Sequence, residues 1–188
     1  MSPPPAESPP RAPLGQSVPA KIGKYPVIRE IGRGATSRVY LGRDPFANRE
    51  VAIKLMSAES DSGSDTHRRF HKAFLNEASL VGKLNHPHIM AIYDADATEE
   101  YTYIVMEHVN GSTLENYIEV DKLLPIERVV EIAFKCSLAL EYAYRHGVIH
   151  RHIKPANILV SAQGDIKISD FGVALQKGAE HTHLQGVG

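Results

Sequence analysis

The sequence contains a single cysteine, Cys136. One thiol cannot close an internal disulfide, and such usage fits a reducing compartment. No apolar run approaches the ~18 residues of a membrane span. The N-terminus has no apolar core of a secretory leader, which makes a cytoplasmic protein the expectation. Neither sign of charge dominates: 21 Lys and Arg stand against 22 Asp and Glu, a formal net charge of −1. That balance excludes a global attraction to nucleic acid or to an anionic membrane surface, so neither is expected as a partner. Histidines recur in His86, His88, His181 and His183. With one cysteine and no matching spacing, they make no structural zinc pattern. What remains is a chain of ordinary apolar content, 43%, long enough for one domain or one and a half.

Residues 1–22 are rich in Pro, Ser and Ala. They cannot bury enough surface to offset the entropy of ordering, so a disordered tail is expected there. Pro10-Arg11-Ala12-Pro13 has P-x-x-P spacing, but so short a pattern in such a leader carries little information. From Tyr25 the pattern alternates towards strands. Ile31-Gly32-Arg33-Gly34-Ala35-Thr36-Ser37-Arg38-Val39 places two glycines in a turn whose backbone can approach a phosphate closely. The strand-like Arg38–Leu41 that follows argues against a dinucleotide-binding turn, which would open a helix at the glycines. Val51-Ala52-Ile53-Lys54-Leu55 reads as a strand with one charge among apolar residues.

His67–Leu84 has helical spacing of Phe70, Phe74, Leu75, Ala78, Val81 and Leu84, with Glu77 on the helix. Strands are expected over Ile89–Tyr93 and Tyr101–Met106. A short helix to Ile118 is then expected, with Ser112 as its N-cap. A long helix runs from Pro125 to His146, closed by Gly147 and apolar on most of its faces. A polar cluster follows, Val148-Ile149-His150-Arg151-His152-Ile153-Lys154-Pro155-Ala156-Asn157, held between apolar flanks as loops that carry chemistry often are. Strands Ile158–Ser161 and Ile166–Ser169 form a hairpin over 162–165, and Asp170-Phe171-Gly172 ends it.

These stretches in this order resemble the protein kinase family, most of all its bacterial serine/threonine members. The resemblance covers about residues 23–188. The polar cluster is similar to the H-R-D-x-x-x-x-N loop, Val51–Lys54 to the V-A-I-K strand, Asp170–Gly172 to D-F-G, and Gly32, Gly34 and Val39 to the glycine loop, with Ser37 at the third glycine. The resemblance implies an α+β, protein-kinase-like fold. It has a complete β-rich N-terminal lobe (23–107), a hinge (107–111) and a partial helical C-terminal lobe (112–188). It also implies ATP and Mg²⁺ as cofactors and a protein as substrate or partner. Lys54 and Glu77 would form the ion pair that orients phosphates, and Asn157 and Asp170 would hold magnesium. Ile31, Gly32, Gly34, Val39, Ala52 and Leu159 would enclose the nucleotide. Backbone groups of Glu107 and Val109 would bind adenine beside Met106. Lys154 stands where the serine/threonine class has its loop lysine. Val81, Ile92, His150 and Phe171 would stack between the lobes.

Two departures bear on activity. The family's catalytic aspartate is His152 here. A general base contributes ~10²–10⁴ in rate, or about 3–5 kcal/mol of barrier. A triphosphate alongside would favour the protonated imidazole and leave little of its basic form. Second, no A-P-E or S-P-E motif occurs before Gly188, so the lower lobe is expected to be missing. The uncovered 125–146 helix would then favour self-association. The two readings are an impaired serine/threonine protein kinase and a nucleotide-binding pseudokinase module or gene fragment that acts by interaction.

Overall fold

The structure, a computed structural model, describes residues 18–34, 36–57, 64–98 and 101–171. Six strands form one antiparallel sheet: β1 (Lys21–Ile22), β2 (Tyr25–Arg33), β3 (Ser37–Asp44), β4 (Arg49–Ser57), β5 (Ile92–Ala97) and β6 (Tyr101–Glu107), in the order β1-β2-β3-β4-β6-β5. Helix α1 (Ser64–Val81) packs on β5. A second sheet, β7 (Gly111–Thr113), β8 (Ile158–Ser161) and β9 (Ile166–Ile168), is also antiparallel, and helix α2 (Ile126–Arg145) packs on β9. Neither helix is long and apolar enough to cross a membrane.

Strand β4 explains how the first sheet sorts its residues. Successive side chains point to opposite faces. Val51, Ile53 and Leu55 enter one core with Ile22, Tyr25, Tyr40, Tyr103 and Val105. Ala52 faces the other way, into a small cluster with Met90 and Met106. Lys54, two residues on, shares that second face. The sheet curls enough for the Tyr25 hydroxyl to donate to Asp94 Oδ2 at 2.7 Å, across from the start of β2 to β5.

The two sheets meet through residues 88–91. Ile89 bridges to Ile168 in parallel fashion. Met90 N donates to Ile168 O, and Ile168 N to His88 O, both at 2.9 Å. A third core fills the space around this junction, with Val81 and Leu84, Ile132, Cys136, Ala139 and Ala143 of α2, and Ile158, Ile166, Ile168 and Phe171. Ile92 packs against the same group. His150 is 3% exposed and meets the Phe171 ring edge-on at 4.5 Å. Its Nδ1 accepts from His152 N at 3.2 Å, so Nε2 carries the proton and donates to Ser169 O at 2.8 Å.

Three expectations need correction. The tail predicted through residue 22 overlaps β1, whose Ile22 is 2% exposed: this β-branched apolar residue pairs against Tyr25 and is buried with it in the sheet's core. The expectation for residues 1–17 lies outside the described residues. Ser112 caps no helix. It sits in β7 opposite Val160 with its hydroxyl 3.2 Å from Tyr117 OH, and the 3₁₀ turn Leu114–Tyr117 follows Thr113 instead. The strand expected at Ile89 begins at Ile92, because residues 88–90 are drawn into bonds with β9.

The long helix matches its expected bounds to a residue. Pro125 precedes it, and Gly147, at φ +78°, turns the chain out of it in a conformation that favours glycine. Only Ile132, Cys136, Ala139 and Ala143 of α2 are buried. Val130 (60%) and Phe134 (64%) are open to solvent, on the helix where self-association is expected.

Burial lowers the proton affinity of His150, and the carbonyl of Ser169 opposes this only in part. The folded chain therefore holds the ring neutral, whereas the unfolded chain protonates it near the ordinary value of about 6.5. The stability tied to this group is complete above that value and is lost as pH falls through it. His86 shifts in the same direction, again through burial. Melting temperature should fall between about pH 7.5 and about pH 5.5, and His150→Phe should flatten the slope. An unchanged slope in the variant would contradict this assignment.

Candidate active site

The site assembles where β4, the loop 148–157 and the exit of β9 converge. Val39 lies opposite Lys54, and Ala52 opposite Met106. Around Ala52, Met90 and Met106 are packed Ile31, Val39, Ile104, Val109 and Leu159. Five of the residues expected around a nucleotide (Ile31, Val39, Ala52, Val109 and Leu159) thus form one apolar group contributed by β2, β3, β4, the segment after β6, and β8. Gly32 pairs with Val39. Gly34 N donates to Ser37 O at 2.8 Å, closing the turn of the glycine loop.

Lys54 is the cation of this face. Its Nζ lies 2.7 Å from Asp170 Oδ1, with the two side chains 13% and 25% exposed. Asp170 has φ +61°. A non-glycine residue in the left-handed region is uncommon and is held there by its surroundings. Those surroundings are the buried Phe171 on one side and Ser169 on the other. Ser169 N donates to Asn157 O at 2.9 Å, and its hydroxyl contacts the same oxygen at 3.3 Å. Gly172 lies outside the described residues.

The expected Lys54–Glu77 ion pair is not formed. The ammonium is a compact point charge, and it is taken by the carboxylate that the turned backbone of Asp170 presents. Glu77 lies half-buried on α1. Burial raises its proton affinity, and the nearby charge of Arg151 opposes that rise.

The loop presents two kinds of side chain. Asn157 ends the 3₁₀ turn Pro155–Asn157 and is 3% exposed. Its Nδ2 donates to His152 O at 2.9 Å, which leaves Oδ1 as an acceptor. His152, Arg151 and Lys154 are exposed. Asn157 Oδ1 and the Asp170 carboxylate are hard oxygen donors of the kind Mg²⁺ prefers, and two protein ligands suffice where phosphate oxygens complete the shell. Among the described residues no cluster of three or more His, Cys, Asp or Glu could hold a metal by itself.

The expected hinge carries an interaction that its motif does not announce. Glu107 N donates to Ala91 O at 2.9 Å. The Glu107 side chain accepts from Lys167 Nζ at 2.7 Å and from Ala91 N at 3.3 Å. His108 Nδ1 lies 3.4 Å from Glu50 Oε2 on the other side. Lys167 is a site-adjacent residue that sequence reasoning left unassigned. Its only signal is its place between Ile166 and Ile168, which turns it away from their core.

Residues 25–187 match the family model "Protein kinase domain". A probable serine/threonine-protein kinase PknB of Lactococcus lactis is 40% identical over 152 residues, covering 80% of this chain and 24% of that protein. The serine/threonine-protein kinase PrkC of Bacillus subtilis is 38% identical, covering 81% and 23%. The chain thus spans about a quarter of the length of the curated relatives it matches. Among solved structures, the Mycobacterium tuberculosis PknI kinase domain superposes with a TM-score of 0.69 at 27% identity, covering 84% of this chain and 64% of that one. Sequence and fold agree, and the chain belongs to the protein kinase domain family, with bacterial serine/threonine kinases among its relatives.

Proposed function

We propose that this chain binds Mg-ATP and is an impaired member of the serine/threonine protein kinases. The observation that carries the reading is the Lys54–Asp170 contact of 2.7 Å beside the apolar group of Ile31, Val39, Ala52, Val109 and Leu159. A positive charge, two hard oxygen donors and an apolar slot are what a nucleotide triphosphate with its metal requires. The apolar group takes the base, and the backbone of Glu107 and Val109 orients it. Lys54 would face the phosphates. Asn157 Oδ1 and Asp170 hold the metal, whose charge neutralises phosphate oxygens when bound.

The transfer step is where this chain departs from its relatives. The residue at the base position is His152, which is exposed and whose backbone bonds to His150 and Asn157. An imidazole facing phosphates is a poor acceptor for a hydroxyl proton, and Lys154 adds further positive charge. The second reading, a nucleotide-binding module that acts by interaction, is favoured by this residue alone. Self-association through α2 belongs to the proposal, supported by the open Val130 and Phe134; sedimentation that finds only monomer would remove it.

Mg-ATP should raise the melting temperature by several degrees, since a ligand at about a hundredfold excess over its Kd adds about 2.7 kcal/mol. Lys54→Met should remove most of the shift. No shift at millimolar nucleotide, with the protein shown to be folded, would end the proposal.

Transfer of label from radiolabelled ATP to a generic protein substrate should stay near background for the chain as it stands, whereas nucleotide binding persists. His152→Asp should leave the nucleotide-induced shift unchanged. Sustained turnover by the unaltered chain would show that His152 acts as an adequate base.

A further inference from the structure

The expected hinge and the strand that delivers Asp170 are joined by a side-chain pair. Glu107 ends β6, and Lys167 is the central residue of β9, with Asp170 following after Ile168 and Ser169. The Lys167 Nζ to Glu107 Oε2 distance is 2.7 Å, and the two side chains are only 21% and 27% exposed. The same Oε2 also accepts from Ala91 N at 3.3 Å. Ala91 O in turn receives Glu107 N, and its neighbour Met90 is bonded to Ile168 O. Glu107 is therefore a node between the sheet carrying Lys54 and the strand leading to Asp170. A half-buried carboxylate left with one long amide contact would be poorly compensated, so Lys167 decides how firmly that node is held.

We infer that Lys167 is a positioning residue which, through the Glu107 side chain, couples occupation of the base slot to the placement of Asp170. The inference rests on the nucleotide-binding reading above. A ligand at the 107–109 backbone bears directly on Glu107. The salt bridge passes any change there to β9 without involving the exposed loop 151–154. Beyond β9 the next bond is Ser169 N to Asn157 O, which joins one proposed metal donor to the residue that precedes the other.

Adenosine tests the coupling, because it reaches the base slot but has no phosphate to contact Lys54 or Asp170 directly. Amide hydrogen exchange at Ser169 is followed with and without saturating adenosine. In the unaltered chain adenosine should slow this exchange by about fivefold, the lower end of ordinary coupling between sites. In Lys167→Met adenosine should still bind within about threefold of its parent affinity, but the slowing at Ser169 should vanish. The exchanged pair Glu107→Lys with Lys167→Glu should restore it. Slowing that persists in Lys167→Met overturns the inference, as does adenosine binding to the unaltered chain without any slowing. A role limited to stability would speed exchange in Lys167→Met equally with and without adenosine, which also overturns it. Failure of the unaltered chain to bind either adenosine or Mg-ATP overturns the nucleotide reading itself, and this inference with it.

Discussion

A lysine on a strand that is apolar on both faces is the constraint around which the site is arranged. Val51, Ile53 and Leu55 commit one face of β4 to a closed core, which leaves Lys54 on the face shared with Ala52 and Met106. An ammonium in such surroundings needs a carboxylate and cannot reach bulk water freely. Asp170 supplies it at 2.7 Å. That requirement links the first sheet to the end of β9. The backbone of Asp170 bears the cost, standing at φ +61°. Phe171, buried against His150, and Ser169, bonded to Asn157, hold it there.

The same arrangement separates binding from transfer. Groups that would hold a nucleotide are buried or half-buried and fixed by neighbours: Asn157 by His152 O, Asp170 by Lys54, Leu159 and Val39 by the cluster around Ala52. The groups that would act on a substrate hydroxyl, His152 and Lys154, are exposed. The identity of the side chain at position 152 therefore leaves the packing beneath it intact. The main-chain contacts of residue 152 would serve for an imidazole or a carboxylate.

Much of this was legible in the sequence, because local pattern and site chemistry coincide there. The apolar run Val51–Leu55, interrupted by one lysine, marks a buried strand with a single charge. The apolar flanks of 148–160 and the spacing from Asn157 to Asp170 mark a loop and hairpin that return to one point. What was not legible depends on three-dimensional choices among similar partners. Lys54 could pair with Glu77 or Asp170, and only the turned backbone at Asp170 decides. Ser112 has the composition of a cap but lies in β7, because Gly111 and Thr113 pair with Ser161 and Leu159. Ile22 follows a proline-rich stretch that hides it in the sequence, yet it is buried beside Tyr25, its partner across β1 and β2. Lys167 looks like any lysine in a short hairpin until Glu107, sixty residues earlier, is found opposite it.

The most direct test of the central constraint is a double-mutant cycle on the nucleotide-free chain, using Lys54→Met, Asp170→Asn and the double variant, with unfolding free energy as the readout. If the pair anchors the two sheets to each other, the single variants will each be destabilised and the double variant less so than their sum. The coupling should be about 1 kcal/mol or more, as for half-buried charges in contact. Strictly additive effects would contradict the account, because they would mean that Asp170 is held in its turned conformation by Phe171 and Ser169 alone.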